Sequence, residues 1–479
     1  MFSLALGLSF QPAIALDVTY RPIANLTYQL DVLSGRLPFV AGESFEKLWK
    51  QEFLRSQQDQ AMLDQWRSNR DLVVSKERRD KTRWPMGNPI HLYDPEQVVR
   101  GAGFMATSVD DYARRLKDGV KLDKARKLID AVNYFMPRFE IWWAAKAQKE
   151  GSAFRDAMAN LCKTPKVTDL VRQFAAFYRA DMGGGAKLPF ILLYRPPGAS
   201  HTSGQQLGQY SVFEFVPGEK PENRIDVVLH ELCHYFYQKA QPRLQLGFQS
   251  QLLALDKQRS IIAYNLLNEG LATALGNGIV AEAVEDPKRF ETHRKRPQSW
   301  YGNSDIDRTG KALFPFLKAW LAKGGSLYDP EFPGQYLKLM SGEFGDELVQ
   351  PKRFMISLVM QISKGFERDL FNYARQQFRT SSMWSSEADN SARALRAFDE
   401  QPCSGGVLVV RPSEVDALVA NGWLGATEAQ ELRTKEGLFV RWGERPAPVC
   451  IIVTSTAEGA KKWLSYVAEA KALTPGHTY

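Results

Sequence analysis

The chain has 479 residues, of which 44% are hydrophobic and 24% charged, and its formal net charge is +8. This length and composition predict two to four folded units with a large core, and they exclude a disordered protein. The basic excess is small for this length, and its densest runs, at 76–83 and 293–296, include no base-stacking motif, so we expect no nucleic-acid partner.

The first fifteen residues are almost wholly apolar and end in Ala13-Ile14-Ala15, which has the small-x-small form of a signal-peptidase site. A basic n-region is missing, because no Lys or Arg precedes Arg21. We favour a signal peptide over residues 1–15, which would make the protein periplasmic or secreted. The n-region could then lie upstream, or the segment could instead be a buried N-terminal strand. No later run approaches the roughly twenty apolar residues of a membrane span, so we expect no transmembrane segment.

Residues 16–187 are predicted to form a mainly helical N-terminal region. The stretches 44–67, 121–149 and 153–162 contain helix formers, with apolar residues repeated at steps of three and four. Prolines within 85–95 indicate a loop-rich break between the first two stretches. This region contains no cluster of residues that indicates a chemical function.

A catalytic region is predicted over residues 188–400. Two short β-prone runs near its beginning, 188–194 and Tyr210–Phe215, predict the strands of a small sheet. Helical patterns follow at about 258–284 and 310–322.

The first helix of this region is predicted to run from Asn223 to about Ala240. Asn223 is a favourable N-cap residue, and Asp226, three positions later, fits a capping box. A stripe of apolar residues at helical spacing indicates a buried face: Ile225, Val228, Leu229, Leu232 and Phe236. The uncharged flanks of the helix agree with burial in a core.

This helix contains the sequence His230-Glu231-Leu232-Cys233-His234, an H-E-x-x-H motif. Residues four apart on an α-helix lie on one face, so the two imidazoles can bind the same zinc ion. Glu231 is offset by about 100° and can reach a metal-activated water without being a ligand. Zinc lowers the pKa of that water, and Glu231 would take its proton as the water attacks a carbonyl group. The motif therefore predicts a zinc hydrolase with Glu231 as general base.

A zinc site with two histidines needs a third protein ligand, and Asn268-Glu269-Gly270-Leu271-Ala272 lies within the second predicted helix. Together with H-E-x-x-H, this sequence resembles the gluzincins, the thermolysin-like and aminopeptidase-like zinc peptidases. Their third ligand is a Glu on a following helix, commonly within Asn-Glu-Gly-x-Ala. The resemblance covers about residues 188–330. It implies a zincin-like domain, peptidase activity, and Glu269 as the third zinc ligand.

The chain departs from the pattern of that family at two supporting positions. Thr273 stands where the thermolysin-like enzymes have an Asp, so support for the histidines is expected to come from elsewhere. Asp307 stands where the aminopeptidase-like enzymes have the Tyr that donates to the oxyanion. Tyr301 is the nearest substitute for this Tyr, and His293 is another; for each of them a structural role is the alternative, and we favour it.

Three expectations concern the surroundings of the site. Gly270 is expected to let its helix approach the H-E-x-x-H helix closely. The interval between His234 and Glu269 is longer than is usual in the family, so an insertion at about 243–257 is expected to loop out. The strand Tyr210–Phe215 is expected to be the edge that pairs with an extended substrate, as the zincin arrangement implies.

Residues 401–479 are predicted to form a small α/β domain. Strand-like runs alternate with helical stretches there: 407–410, 438–442 and 449–453. Two interpretations stay open for Cys403 and Cys450. They could form a disulfide in an exported protein, or they could be unpaired thiols in the core.

The sequence therefore predicts a helix-rich α+β protein, in which a zincin-like catalytic domain follows a helical N-terminal region and precedes a small α/β C-terminal appendage. The expected cofactor is Zn²⁺, bound by His230, His234 and Glu269, with Glu231 and Tyr301 as catalytic residues. The expected substrate is a peptide or a protein. Two alternatives stay open: a zinc hydrolase of another amide or ester, and a metallopeptidase-like binding protein that holds zinc structurally.

Overall fold

The computed structural model describes residues 14–35, 37, 40, 42–70, 95–117, 119–182, 186–198, 203–366, 369–388, 392–442 and 445–479. The basic run at 76–83 and residues 1–13 of the predicted signal segment lie outside these ranges, as does most of the proline-rich stretch at 85–95. The fold is α+β and rich in helices, as predicted. Within the described ranges, no helix combines the length and the apolar character that a membrane span requires.

The N-terminal part begins with a strand and continues with helices. Their bounds are β1 (Ile14–Thr19), α1 (Pro22–Leu33), α2 (Glu43–Glu52), α3 (Gln57–Asn69), α4 (Pro95–Met105), α5 (Val109–Lys117), α6 (Leu122–Trp142), α7 (Gln148–Cys162) and α8 (Pro165–Phe177). A π-helical segment, Trp143–Ala147, joins α6 to α7. The apolar faces of α2 and α6 meet in a common core, where the rings of Trp49 and Phe135 lie 5.0 Å apart.

The first sheet contains β1 and three further strands: β2 (Ala186–Tyr194), β3 (Gly204–Leu207) and β4 (Tyr210–Phe215). Their order is β1-β2-β4-β3; β1, β2 and β4 are parallel, and β3 runs antiparallel to β4. The two predicted strands are confirmed as β2 and β4. The expectation that β4 forms the edge is wrong, because β3 pairs with its outer side. The sequence of β3, Gly-Gln-Gln-Leu, is too short and polar to predict a strand.

Residues from the predicted signal-peptidase site are part of this sheet. Ile14 and Ala15 begin β1 and pair in register with Ala186 and Lys187 of β2. These two residues form a strand, as the alternative interpretation holds, but Ile14 is half-buried and Ala15 is exposed, so the expected burial is not found. Export of the protein stays a prediction.

The central part of the chain is helical. The bounds of its helices are α9 (Ile225–Lys239), α10 (Pro242–Leu255), α11 (Lys257–Ala272), α12 (Ala281–Val284), α13 (Pro287–Lys295), α14 (Ser304–Ala322), α15 (Phe332–Phe344) and α16 (Pro351–Phe354). A π-helical segment, Thr273–Val280, joins α11 to α12, so the helix predicted at 258–284 is nearly continuous. The basic run at 293–296 falls at the end of α13.

Two local predictions about these helices are wrong. Asn223 does not cap α9, because it belongs to a 3₁₀ turn, Pro221–Asn223, and Arg224 is the N-cap residue. The predicted insertion at 243–257 does not loop out but forms most of α10. Pro242 occupies the first turn of α10, where its missing N–H costs no hydrogen bond. The buried residues of α10, such as Phe248 and Leu252, are four apart and face the core.

The N-terminal helices and the central helices share one hydrophobic core. This core includes residues from Val18 on β1 to Phe354 on α16, together with Ile356 and Ala447 from the C-terminal part. The stacked rings of Phe154 on α7 and Phe215 on β4, 4.8 Å apart, lie on either side of the predicted boundary at residue 187. The helices before this boundary therefore pack in the same core as the sheet and α9.

The C-terminal part is an α/β unit around a second sheet. Its strands are β5 (Ser357–Ser363), β6 (Ser382–Ala388), β7 (Gly405–Val410), β8 (Gly437–Arg441) and β9 (Val449–Val453), and its helices are α17 (Asp369–Phe378), α18 (Ala392–Asp399), α19 (Val415–Ala420), α20 (Ala426–Thr434) and α21 (Ala457–Glu469). The strand order is β6-β5-β7-β9-β8, and only β8 is antiparallel to its neighbour. The three predicted strand-like runs match β7, β8 and β9. The sheet also contains β5 and β6, which precede the predicted start at residue 401.

Cys403 and Cys450 are buried free thiols and do not form a disulfide. The Sγ atom of Cys403 accepts a hydrogen bond from Nε2 of Gln249, at 3.2 Å. Cys450 lies on β9, with Val407 of β7 opposite it on one side and Val440 of β8 on the other. The interpretation as unpaired core thiols is confirmed.

Candidate metal centre

The side chains of His230, His234 and Glu269 converge, as the sequence predicted. The two histidines are one turn apart on α9, and α11 carries Glu269 to them. Their Nε2 atoms lie 3.1 Å apart, and each lies 3.5 Å from Oε2 of Glu269. Both imidazoles are buried, whereas 30% of the Glu269 side chain is exposed. The group therefore opens to solvent on the side of the carboxylate.

The donor atoms of this group fit a zinc ion. Oε2 of Glu269 is buried, and the two imidazole nitrogens that face it lie 3.5 Å away, beyond the length of a normal hydrogen bond. Burial alone would lower the pKa of His234, but the charge of Glu269 raises it to about 9. Two imidazole nitrogens and one carboxylate oxygen are a typical ligand set for catalytic zinc.

Two asparagine side chains hold the other ring nitrogens of these histidines. Nδ1 of His230 lies 2.9 Å from Oδ1 of Asn277, and Nδ1 of His234 lies 3.2 Å from Oδ1 of Asn268. Support for the histidines thus comes from positions other than Thr273, as expected. Asn277 was missed because it lies in a π-helical segment, where the spacing of an α-helix no longer predicts which residues face α9.

Glu231 is buried next to the three converging residues, with 7% of its surface exposed. Burial raises the pKa of Glu231, while the two neighbouring imidazoles and a hydrogen bond from the backbone N–H of Gln206 oppose this effect. Gln206 and Gly204 belong to β3. A Cβ atom on Gly204 would lie 2.9 Å from Oε1 of Glu231, so this glycine allows β3 to pack against the carboxylate.

Tyr301 stacks on His230. The ring centroids are 5.9 Å apart and the ring planes form an angle of 27°. The charge of Glu269, together with burial, raises the pKa of Tyr301 well above 10, so its hydroxyl keeps its proton. His293, the other predicted candidate, contacts Glu285 instead, with 3.9 Å between Nδ1 and Oε2. The structure brings Tyr301 rather than His293 to the three ligand residues.

Asp307, which stands where the aminopeptidase-like pattern has a Tyr, fixes the loop that carries Tyr301. Oδ1 of Asp307 accepts hydrogen bonds from the backbone N–H groups of Trp300, at 3.0 Å, and Tyr301, at 3.4 Å. Its other oxygen accepts from the N–H of Gln298, at 3.0 Å, and from Nζ of Lys311, at 2.8 Å. Asp307, which departs from the family pattern, and Tyr301, the predicted substitute, thus belong to one local structure.

The close approach to α9 occurs at Gly276, in the π-helical segment after α11, and not at Gly270 as predicted. A Cβ atom on Gly276 would lie 2.7 Å from both N and Cα of His230. On Gly270 it would lie 2.4 Å from Cγ2 of Thr309, on α14. Gly270 is therefore needed for contact with α14, and the π-helical segment brings Gly276 to α9.

Comparison of the chain with protein-family models, with curated proteins and with solved structures finds no match. The resemblance to the gluzincins thus consists of the H-E-x-x-H motif, the Asn-Glu-Gly-x-Ala sequence and the converging side chains of His230, His234 and Glu269.

Proposed function

We propose that the protein is a zinc-dependent peptidase with a zincin-like catalytic domain, in which His230, His234 and Glu269 bind the metal and Glu231 is the general base. One observation carries the proposal: ligand atoms of these three residues lie within 4.8 Å of one another, beside a buried carboxylate that is not one of them. A bound zinc ion supplies a Lewis acid, which polarises a carbonyl group and acidifies water.

The residues around the metal would transfer protons and stabilise the developing negative charge. Glu231 takes a proton from the attacking water and delivers it to the leaving amine. Its raised pKa helps it to hold this proton between the two transfers. Tyr301 donates a hydrogen bond from its hydroxyl to the substrate oxygen that gains negative charge, and its high pKa keeps it in the form that can donate.

The edge of β3 favours a peptide as the substrate. Leu207 and Tyr210 close a two-residue hairpin and therefore exchange hydrogen bonds, and Ser203 accepts from the N–H of Glu214 at 2.9 Å. The backbone groups of Gly204 and Gln206 consequently face away from β4. The N–H of Gln206 bonds to Glu231, and the others would pair with an extended peptide beside this base.

A peptide-cleavage assay tests this proposal. The zinc-loaded wild type and Glu231→Gln would be incubated with a peptide library, and the products would be identified by mass spectrometry. We expect defined cleavage by the wild type and a loss of at least about 10²-fold in Glu231→Gln, which should still bind zinc. Equal cleavage by the two proteins would contradict the role of Glu231. A zinc-bound wild type that cleaves no peptide would favour another hydrolase or a binding protein.

A further inference from the structure

His230 is connected to Asp226, one turn earlier on α9, through the side chain of Asn277. Nδ1 of His230 lies 2.9 Å from Oδ1 of Asn277. Nδ2 of Asn277 donates a hydrogen bond to Oδ2 of Asp226, at 2.8 Å. His230 and Asn277 are buried, with 6% and 7% of their surface exposed, so bulk water does not compete for these bonds.

Asp226 fixes the direction of both hydrogen bonds. Carboxylate oxygens accept, and the amide nitrogen of Asn277 can only donate, so Nδ2 faces Asp226. The amide oxygen then faces His230, and because this oxygen only accepts, Nδ1 must be the protonated nitrogen. In a neutral imidazole protonated at Nδ1, the free lone pair is on Nε2, the atom that faces Glu269.

We propose that Asp226 is a positioning residue of the metal centre, which acts through Asn277 to select the tautomer of His230 that can bind a metal through Nε2. This inference rests on the proposed zinc site and deepens it. Asp226 is not part of the group of converging ligand atoms, so its effect passes through the amide. Fixing the tautomer and the ring before metal binding removes a rearrangement that would otherwise reduce affinity.

The surroundings of Asp226 help to separate this role from a structural one. The carboxylate of Asp226 is close enough to Glu285 to raise the pKa of Glu285, in addition to the effect of burial. Asp226→Asn keeps the shape of the side chain and removes this repulsion. The variant is therefore expected to fold, so that a change at His230 reports on the hydrogen-bond direction.

The experiment compares the wild type with Asp226→Asn and with the double variant Asp226→Asn/Asn277→Asp. In the single variant, the new amide can accept as well as donate, so Asn277 can reverse and His230 can populate both tautomers. The double variant exchanges the two side chains. The carboxylate at position 277 then accepts from both neighbours, which restores the proton on Nδ1 of His230.

Two quantities would be measured for each protein. The ¹⁵N chemical shifts of the His230 ring in the metal-free protein report the tautomer, and competition with a chromophoric chelator gives the zinc affinity. We expect the Nδ1-protonated form in the wild type. Asp226→Asn should show mixed tautomers and about tenfold weaker zinc binding. The double variant should recover the Nδ1-protonated form and the zinc affinity of the wild type. The ring of His234, whose Nδ1 contacts Asn268, is not linked to Asp226 and should give the same ¹⁵N shifts in all three proteins.

The outcomes distinguish this inference from the proposed function. An unchanged tautomer and an unchanged zinc affinity in Asp226→Asn would overturn the inference, even if the wild type binds zinc and cleaves peptides. An Nε2-protonated His230 in the wild type would overturn it as well. If the wild type binds no zinc, the proposed function fails, while the tautomer measured in the metal-free proteins still decides whether Asp226 controls His230.

Discussion

The phenol ring of Tyr301 stacks on the imidazole of His230, with the ring centroids 5.9 Å apart. The contact joins a residue from the loop before α14 to a candidate metal ligand on α9. Because Asp307 holds the backbone of that loop, the hydroxyl is fixed near Glu269 before any substrate binds. Because the ring is already in place, the hydroxyl needs only to exchange its hydrogen bond to Glu269 for one to the substrate oxygen.

Replacement of Tyr301 by Phe keeps the stacked ring and removes only the hydroxyl. We expect kcat for peptide cleavage to fall by about 10²–10³-fold, because the developing oxyanion loses a donor, while the zinc content stays unchanged. Steady-state kinetics and elemental analysis measure these two quantities. Tyr373→Phe is the matched control, since it removes a hydroxyl that contacts Ser465 in the C-terminal unit. Similar kcat values for Tyr301→Phe and the control would contradict this role of Tyr301.

The contact between Gly276 and His230 predicts a stability difference between two glycine variants. Gly276→Ala places a methyl group 2.7 Å from the backbone of His230 and should lower the free energy of unfolding by about 1–3 kcal/mol. Gly247→Ala is the control, because Gly247 lies within α10 with no heavy atom within 4 Å of its Cβ position. This control should be neutral or stabilising by up to about 1 kcal/mol. Urea unfolding of the metal-free proteins measures both, and equal stability of the two variants would refute the close contact.

Glu285 predicts a pH dependence of stability. Burial and the charge of Asp226 raise the pKa of Glu285 from 4.5 to about 7, so the folded protein binds this proton more tightly than the unfolded chain does. The resulting stabilisation is complete below pH 4.5 and is lost as the pH rises through 7. Glu285→Gln should therefore be more stable than the wild type at pH 8, by about 2 kcal/mol, and nearly equal to it at pH 4.

Urea unfolding of the two metal-free proteins at both pH values would measure the effect of Glu285→Gln. The matched control is Glu282→Gln, because Glu282 is an exposed residue whose ion pair with Lys318 contributes little. The free energy of unfolding of Glu282→Gln should differ little from that of the wild type at either pH. If the difference in free energy of unfolding between Glu285→Gln and the wild type were the same at pH 4 and at pH 8, the prediction would be contradicted. Glu285 would then not be the group that binds the proton.

The helix of the H-E-x-x-H motif could be predicted because its apolar stripe follows the helical period along its whole length. The same period locates Glu269 on a second helix and, with the family pattern, identifies it as the third residue of the group. The start of the first helix could not be predicted in this way. Asn223 is a good cap in isolation, but the preceding Pro221 places it in a 3₁₀ turn.

The positions of the residues that support the site depend on long-range packing and therefore could not be predicted from local sequence patterns. Asn277 reaches His230 only because the chain forms a π-helix at Thr273–Val280. Strand β3 is too short and polar to be recognised, yet it borders Glu231 because Gly204 permits a close contact. The family pattern has a Tyr at position 307 and gives no role for an Asp there. In this chain Asp307 binds the backbone of the loop that carries Tyr301.

The zinc content of the purified protein tests the central claim most directly. Elemental analysis would be made on the wild type and on His234→Ala, Glu269→Ala and Glu231→Gln. We predict about one zinc per chain in the wild type and in Glu231→Gln, and none in the two ligand variants. No zinc in the wild type, or zinc retained by both ligand variants, would contradict a metal centre formed by His230, His234 and Glu269.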